Sequence, residues 1–207
     1  MISITSHIAS RSWMTFALML AISLGASAQD HSKVEIFGGY SYLRATGADE
    51  PANLHGWNAA MNVNLKNWSK VSLGAVADFS GHYGTSSVVI FSLDQGLFGD
   101  LKTRNHNFLF GPQFQFRGSR IAPFARVMAG GAHRRFSGLL SGRPTDLKDT
   151  AFAFGTGGGV DVKINKRVSL RLVQADYLLT RFELLDQYNP KTEHNFRLSA
   201  GLVIRLR

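Results

Sequence analysis

From about residue 33 to its last residue, the chain changes chemical character at every second position. That period belongs to a β-strand with two unlike faces. The closing stretch "HNFRLSAGLVIRLR", residues 194–207, shows it plainly. Phe196, Leu198, Ala200, Leu202, Ile204 and Leu206 share one face, while Asn195, Arg197, Ser199, Gly201, Val203, Arg205 and Arg207 share the other. Eight such segments are expected at about 33–44, 54–66, 71–83, 105–117, 121–135, 150–164, 168–182 and 194–207. In 168–182 the pattern slips once. Val168, Leu170 and Leu172 share parity with Gln174 and Asp176, whereas Tyr177 and Leu179 do not. One extra residue near Val173–Gln174 would swap the faces, so a β-bulge is expected there.

The connections alternate as strictly as the residues do. "NWSK", "GSR" and "NKR" join segments 2–3, 4–5 and 6–7 as tight turns. The intervening stretches 45–53, 84–104, 137–149 and 183–193 are read as long loops. In an up-and-down sheet this puts every long loop at one end, and every short turn at the other with both termini.

Ahead of the strands, Arg11, the apolar run Trp13 to Leu24 and "ASA" at 26–28 have the layout of an export signal. Residues 1–28 are therefore expected to be a cleaved signal peptide, and 29–207 one β-barrel domain with nothing after its last strand. The run is shorter than the ~20 residues of a spanning helix, and no later segment approaches that length. The chain has no cysteine, so an exported fold must be stabilised without disulfides, and a closed sheet without edges does that. The formal charge of +9 raises a nucleic-acid reading. The long loops, however, hold more Asp and Glu than Lys and Arg. The basic excess sits in strands and short turns, at Lys66, Lys70, Arg117, Arg120, Lys166, Arg167, Arg205 and Arg207. No basic stripe with interleaved aromatics exists, so no nucleic acid is expected as a partner. Basic short turns could instead touch anionic headgroups.

Alternation alone does not say which face meets a core. A soluble lipocalin-like barrel would point its apolar face inward. Here the non-apolar face combines very small residues with Glu35, Asp78, Arg126, Asp161, Lys163, Arg171, Asp176, Arg197 and Arg205. A narrow eight-stranded interior accommodates small groups and paired charges of both signs. Aromatics gather toward segment ends, among them Tyr40, Tyr42, Trp57, Trp68, Tyr83 and Tyr177, as at membrane interfaces. With "VEIFGGYSYLR", "FLFGPQFQFR", "VSLRLVQADYLLTRF" and "FRLSAGLVIRLR" in this order, residues 31–207 resemble the small eight-stranded outer-membrane barrels of the OmpA transmembrane-domain type. The resemblance implies an all-β, antiparallel, up-and-down transmembrane barrel in the outer membrane. It also implies partners in outer-membrane lipids, lipopolysaccharide and the barrel-insertion machinery, and no cofactor.

The nine lumen charges are expected to form a plug that fixes strand register, with a narrow ion path as the alternative. His55, His82, His106, His133 and His194 are expected at strand ends on the long-loop rim. Imidazoles there suit an interface as Tyr and Trp do, and a ring of them could also bind zinc or sense pH. They lack ligand spacing, so anchoring is the expectation and no metal site is assigned. "GTGGGVD", 155–161, misses dinucleotide-loop spacing and reads as a strand whose inner face must be small. The apolar content of "SSVVIFSLDQGLFGDL" makes loop 84–104 either a locally buried hairpin or the contact for a surface partner. A lipid A-modifying enzyme would need a serine, a histidine and an acid near the outer interface. Ser80, Ser86, His82, His133, Glu183 and Glu193 are the candidates. The expected role is non-catalytic: structural, membrane-integrity or surface adhesion.

Overall fold

The computed structural model describes residues 33–46, 52–92, 95–140, 143–181 and 192–206. The expected signal peptide, residues 1–28, lies outside them. The strands are β1 (Val34–Ala45), β2 (Ala52–Asn67), β3 (Val71–Ser92), β4 (Gln95–Phe116), β5 (Ile121–Leu140), β6 (Arg143–Lys163), β7 (Val168–Arg181) and β8 (Thr192–Leu206). They form one closed barrel in sequence order, every neighbour antiparallel, with β1 pairing both β2 and β8. Closure leaves the barrel wall itself without a sheet edge.

The two faces separate as the alternation requires. Outward stand Ile36, Tyr40, Trp57, Met61, Phe108, Phe110, Phe152, Phe196, Leu198, Leu202 and Ile204, all well exposed on the isolated chain. An apolar band of this extent is not left to water; it meets hydrocarbon. The buried residues of the same strands are largely polar and charged.

Two of the expected long loops are corrected to strand. β3 and β4 stay paired from Val71↔Phe116 to Ser92↔Gln95 without a register shift, and β5 and β6 from Ile121↔Val162 to Leu140↔Arg143. Stretches 84–104 and 137–149 are therefore mostly hairpin. Only residues 93–94 and 141–142 lie between the paired strands. The physical reason is that ladder hydrogen bonds continue beyond the membrane, where no apolar solvent imposes a two-face pattern. The apolar side chains expected to be sticky, at 86–101, lie outside the described residues. So do residues 47–51 and 182–191.

The expected bulge in β7 is present. Its register with β8 shifts between Arg171 and Gln174, leaving Leu172 and Val173 both facing outward. Below the shift Arg171 points inward, and above it Gln174 and Asp176 do. A second bulge, between Asn64 and Lys66 of β2, carried no sequence signal. At the short end, the Asn165 side-chain oxygen accepts hydrogen bonds from the backbone N–H of Arg167 and Val168, both at 2.8 Å. An asparagine closing on its own backbone this way stabilises a tight turn.

Candidate functional site

The barrel interior is where the sequence concentrates unusual chemistry, and its centre is a ring of four ionised side chains. Arg126 (β5) donates to both oxygens of Asp176 (β7), Nε at 3.0 Å and Nη2 at 2.8 Å. Arg197 (β8) donates to the same Asp176 through Nε at 3.1 Å and Nη2 at 2.9 Å. Its Nη1 reaches Asp78 (β3) at 2.8 Å and Ser80 Oγ at 2.9 Å. Arg126 Nη1 stands 3.1 Å from Asp78 Oδ2, an ion-pair contact outside hydrogen-bonding geometry. All four side chains are wholly removed from solvent, and two positive charges meet two negative ones. Asn58 donates to Asp78 at 3.0 Å, and Gln174 to Asp176 at 2.9 Å and to Asn58 at 3.0 Å. Buried charges are tolerable in such a place only when paired and further hydrogen-bonded, as these are.

Toward the short turns a second pair follows. Arg171 grips Asp161 through Nε at 2.7 Å and Nη2 at 3.1 Å. Its guanidinium lies between two rings, 4.4 Å from Phe37 and 4.1 Å from Phe124. Lower still, Arg205 donates to Glu35 at 3.0 Å and to Ser169 at 2.6 Å. Glu35, Asn62 and Gln113 each keep one buried polar atom without a protein partner, and with Arg171 they line a cavity with room for about one water.

Toward the long loops the interior turns apolar. Leu43, Leu54, Leu109, Met128 and Leu178 are buried together in the lumen. Beyond them Arg134 (β5) forks onto Glu193 (β8) at 2.8 and 2.5 Å. The glycine face of β6 makes room for larger neighbours. A Cβ on Gly155 would press on Leu178, on Gly159 on Phe124, and on Gly157 on the Asp176 carboxylate.

Eight of the nine expected lumen charges thus stand in ion pairs inside the barrel. Lys163 is the correction. It lies half-exposed at the end of β6, and its Nζ donates to the Gly118 carbonyl at 2.7 Å because the strand has reached the turn. His82 is a second correction. It is fully buried in the lumen rather than set on the outer rim, and its Nε2 lies 2.8 Å from Ser41 Oγ. The other four histidines face outward at the long-loop end, three of them beside a tyrosine on the adjoining strand. Tyr40 Oη meets His55 Nδ1 at 2.5 Å, Tyr83 Oη meets His106 Nε2 at 3.3 Å, and Tyr177 bonds His194. His133 meets Thr150 at 2.9 Å. Among the described residues, no three histidines or carboxylates converge as a metal site. At and beyond this girdle, Arg44, Lys102, Arg104 and Arg181 stand exposed. Arg135 is engaged by Asp146 at 2.7 and 2.8 Å, and its hydrogen bond holds that carboxyl below its ordinary range.

Residues 14–203 match the family described as outer membrane protein beta-barrel domain. The chain belongs to that family. Like the other members, it is an outer-membrane barrel. It is similar in fold to the Neisserial surface protein A, with 14% identity, 86% of this chain and 100% of that one covered, and a TM-score of 0.56. It is likewise similar to Ail of Yersinia pestis, at 18% identity, 84% and 99% coverage and a TM-score of 0.53. No protein of curated function matches the chain.

Within this family barrel, none of the described residues considered for lipid chemistry hydrogen-bonds to another. Ser80 is held by Arg197 and Asn107, Glu193 by Arg134, and His82 by Ser41, while His133 lies on the outer face. Ser86 and Glu183 carry no described side chain. Two groups escaped the sequence reading: the Arg134–Glu193 fork and the Ser41–His82–Ser199 chain, in which Ser41 Oγ and Ser199 Oγ are 2.9 Å apart. Parity was the available signal, since Arg134 alternates in step with Arg126 and Glu193 with Arg197.

Proposed function

We propose that this outer-membrane barrel is sealed, and that its role is structural or adhesive, exercised at the long-loop end rather than through the lumen. The central ring of Asp78, Arg126, Asp176 and Arg197, all without solvent access, carries this reading. A solute path would need those charges separated and rehydrated, and an interior of eight strands is narrow enough for side chains to fill. The apolar layer of Leu43, Leu54, Leu109, Met128 and Leu178 lies in series with the ring and favours sealing over a narrow porin-like channel. In planar bilayers the refolded chain is expected to give no steady current. A sustained, ohmic conductance would overturn the reading.

The outer end supports a surface role. Ail, the attachment invasion locus protein, has been crystallised with the heparin analogue sucrose octasulfate. In this chain Arg44, Lys102, Arg104 and Arg181 stand exposed at and beyond the aromatic and histidine girdle. They are suited to a polyanion, whether lipopolysaccharide phosphates in the same leaflet or a sulfated polymer on another surface. Replacing all four by glutamine is expected to weaken binding to immobilised lipopolysaccharide at low salt by about tenfold, each exposed cation adding a small increment. Unchanged retention would remove the polyanion from the reading.

A further inference from the structure

The short-turn end carries a charge pattern that the sealed lumen does not use. Each of its three turns has a cation on both flanks: Lys66 and Lys70 around "NWS", Arg117 and Arg120 around "GS", and Lys163 with Lys166 and Arg167 around "IN". Lys33 precedes β1 at the same end. Lys33, Lys66, Lys70, Arg120, Lys166 and Arg167 are all exposed. Among the described residues at this end, the acids Glu35 and Asp161 are buried in the lumen and matched to Arg205 and Arg171. Among the described residues, the collar therefore has no exposed carboxylate to neutralise it.

The collar is held in place. Backbone hydrogen bonds join it strand to strand around the rim: Arg117 N to Lys70 O at 2.7 Å, Lys163 N to Arg120 O at 2.9 Å, Arg205 N to Arg167 O at 2.7 Å, and Asn64 N to Lys33 O at 2.8 Å. Arg117 also bonds the Asn67 side chain, while its Nη1 is buried with no partner. Burial and the like charge of Arg205 push that guanidinium below its ordinary range, although Glu35 opposes them. Among the described residues, exposed cations at this end thus stand without exposed acids.

What the cations adjoin decides the partner. Lys66 follows outward-facing Leu65, and its Nζ lies 5.3 Å over the Trp68 ring. Arg117 follows exposed Phe116, Arg120 precedes exposed Ile121, and Lys166 stands two residues beyond exposed Ile164. Each cation is one or two residues past the last apolar contact with hydrocarbon. Long basic side chains at that depth reach to headgroup level. A soluble acidic partner would not need this alignment with the hydrocarbon boundary.

We propose that the short-turn collar is a binding surface for anionic phospholipid headgroups, which selects them from the leaflet it faces. The proposal rests on the outer-membrane placement of the barrel and is independent of whether the lumen conducts. Native mass spectrometry of the chain refolded in micelles tests it, with equimolar phosphatidylglycerol and phosphatidylcholine as the probes. Retained lipid should favour phosphatidylglycerol by about tenfold, less as salt is raised. The variant K33Q/K66Q/K70Q/R120Q/K166Q/R167Q changes only exposed side chains, and its folding is read separately from heat-modifiable gel mobility. It should lose the preference, whereas R44Q/K102Q/R104Q/R181Q at the opposite end should keep it. Equal retention of both lipids, or a preference that survives the collar variant, overturns the proposal. So does collar-dependent capture of soluble polyglutamate without headgroup preference, which would assign the surface to an acidic macromolecule.

Discussion

Asp176→Asn should destabilise the barrel by about 3–5 kcal/mol, the cost of leaving a buried ion pair without one partner. Asp176 is the hub of the central ring. It accepts two hydrogen bonds from Arg126, two from Arg197 and one from Gln174. An asparagine keeps the shape but removes one of two negative charges, so two buried guanidiniums would share Asp78 alone. Urea unfolding in lipid vesicles measures the loss, and a change below about 1 kcal/mol would show that the ring is not under electrostatic demand. The double variant Arg126→Met with Asp176→Leu separates charge pairing from packing. It removes one cation with one anion and leaves Arg197 with Asp78, 2.8 Å apart. It should be no less stable than Asp176→Asn alone, because apolar replacement of a whole buried pair is often neutral.

The wall of this barrel was legible because two solvents dictate it. Lipid on one side and a crowded interior on the other force a change of character at each residue, so the eight strands and the β7 bulge could be read from parity alone. Beyond the membrane that demand ends. The "SSVVIFSLDQGLFGDL" stretch pairs as a hairpin, one of the two forms its apolar content allowed, but without a two-face pattern the sequence did not choose between them. The interior was half legible. Which residues face inward follows from alternation, which is why eight of the nine charges were placed and why Lys163, at a strand end, was not. Which arginine meets which carboxylate depends on register and stagger between strands far apart in sequence. Arg197 and Asp78 are 119 residues apart, and no local pattern announces their contact. His82 shares the parity of Asp78 and Ser80, and that parity, not its nearness to the long-loop end, puts it in the lumen.

Gly157→Val should prevent the folded barrel from forming, and the reason lies in how the ring crosses β6. Gly157 pairs with Arg126 on one side and with Asp176 on the other. The bidentate Arg126–Asp176 pair therefore spans β6 across the position where a side chain would stand. A Cβ there would collide with the Asp176 carboxylate and the Ala175 carbonyl. Overpacking a filled interior costs about 1–3 kcal/mol by itself. Here it would also separate two buried charges, which adds a penalty of about 3–5 kcal/mol. Gly38→Val is the matched control, since Gly38 faces outward on β1 and an added Cβ meets nothing within 4 Å. Refolding in detergent and gel mobility before and after boiling distinguish the two. The Gly38 variant should show the heat-dependent shift of a closed barrel, and the Gly157 variant should run as unfolded chain at both temperatures. Normal folding of Gly157→Val would mean that the ring tolerates a methyl-bearing side chain between its partners. The glycine run of β6 would then owe its composition to something other than the charges it lets meet.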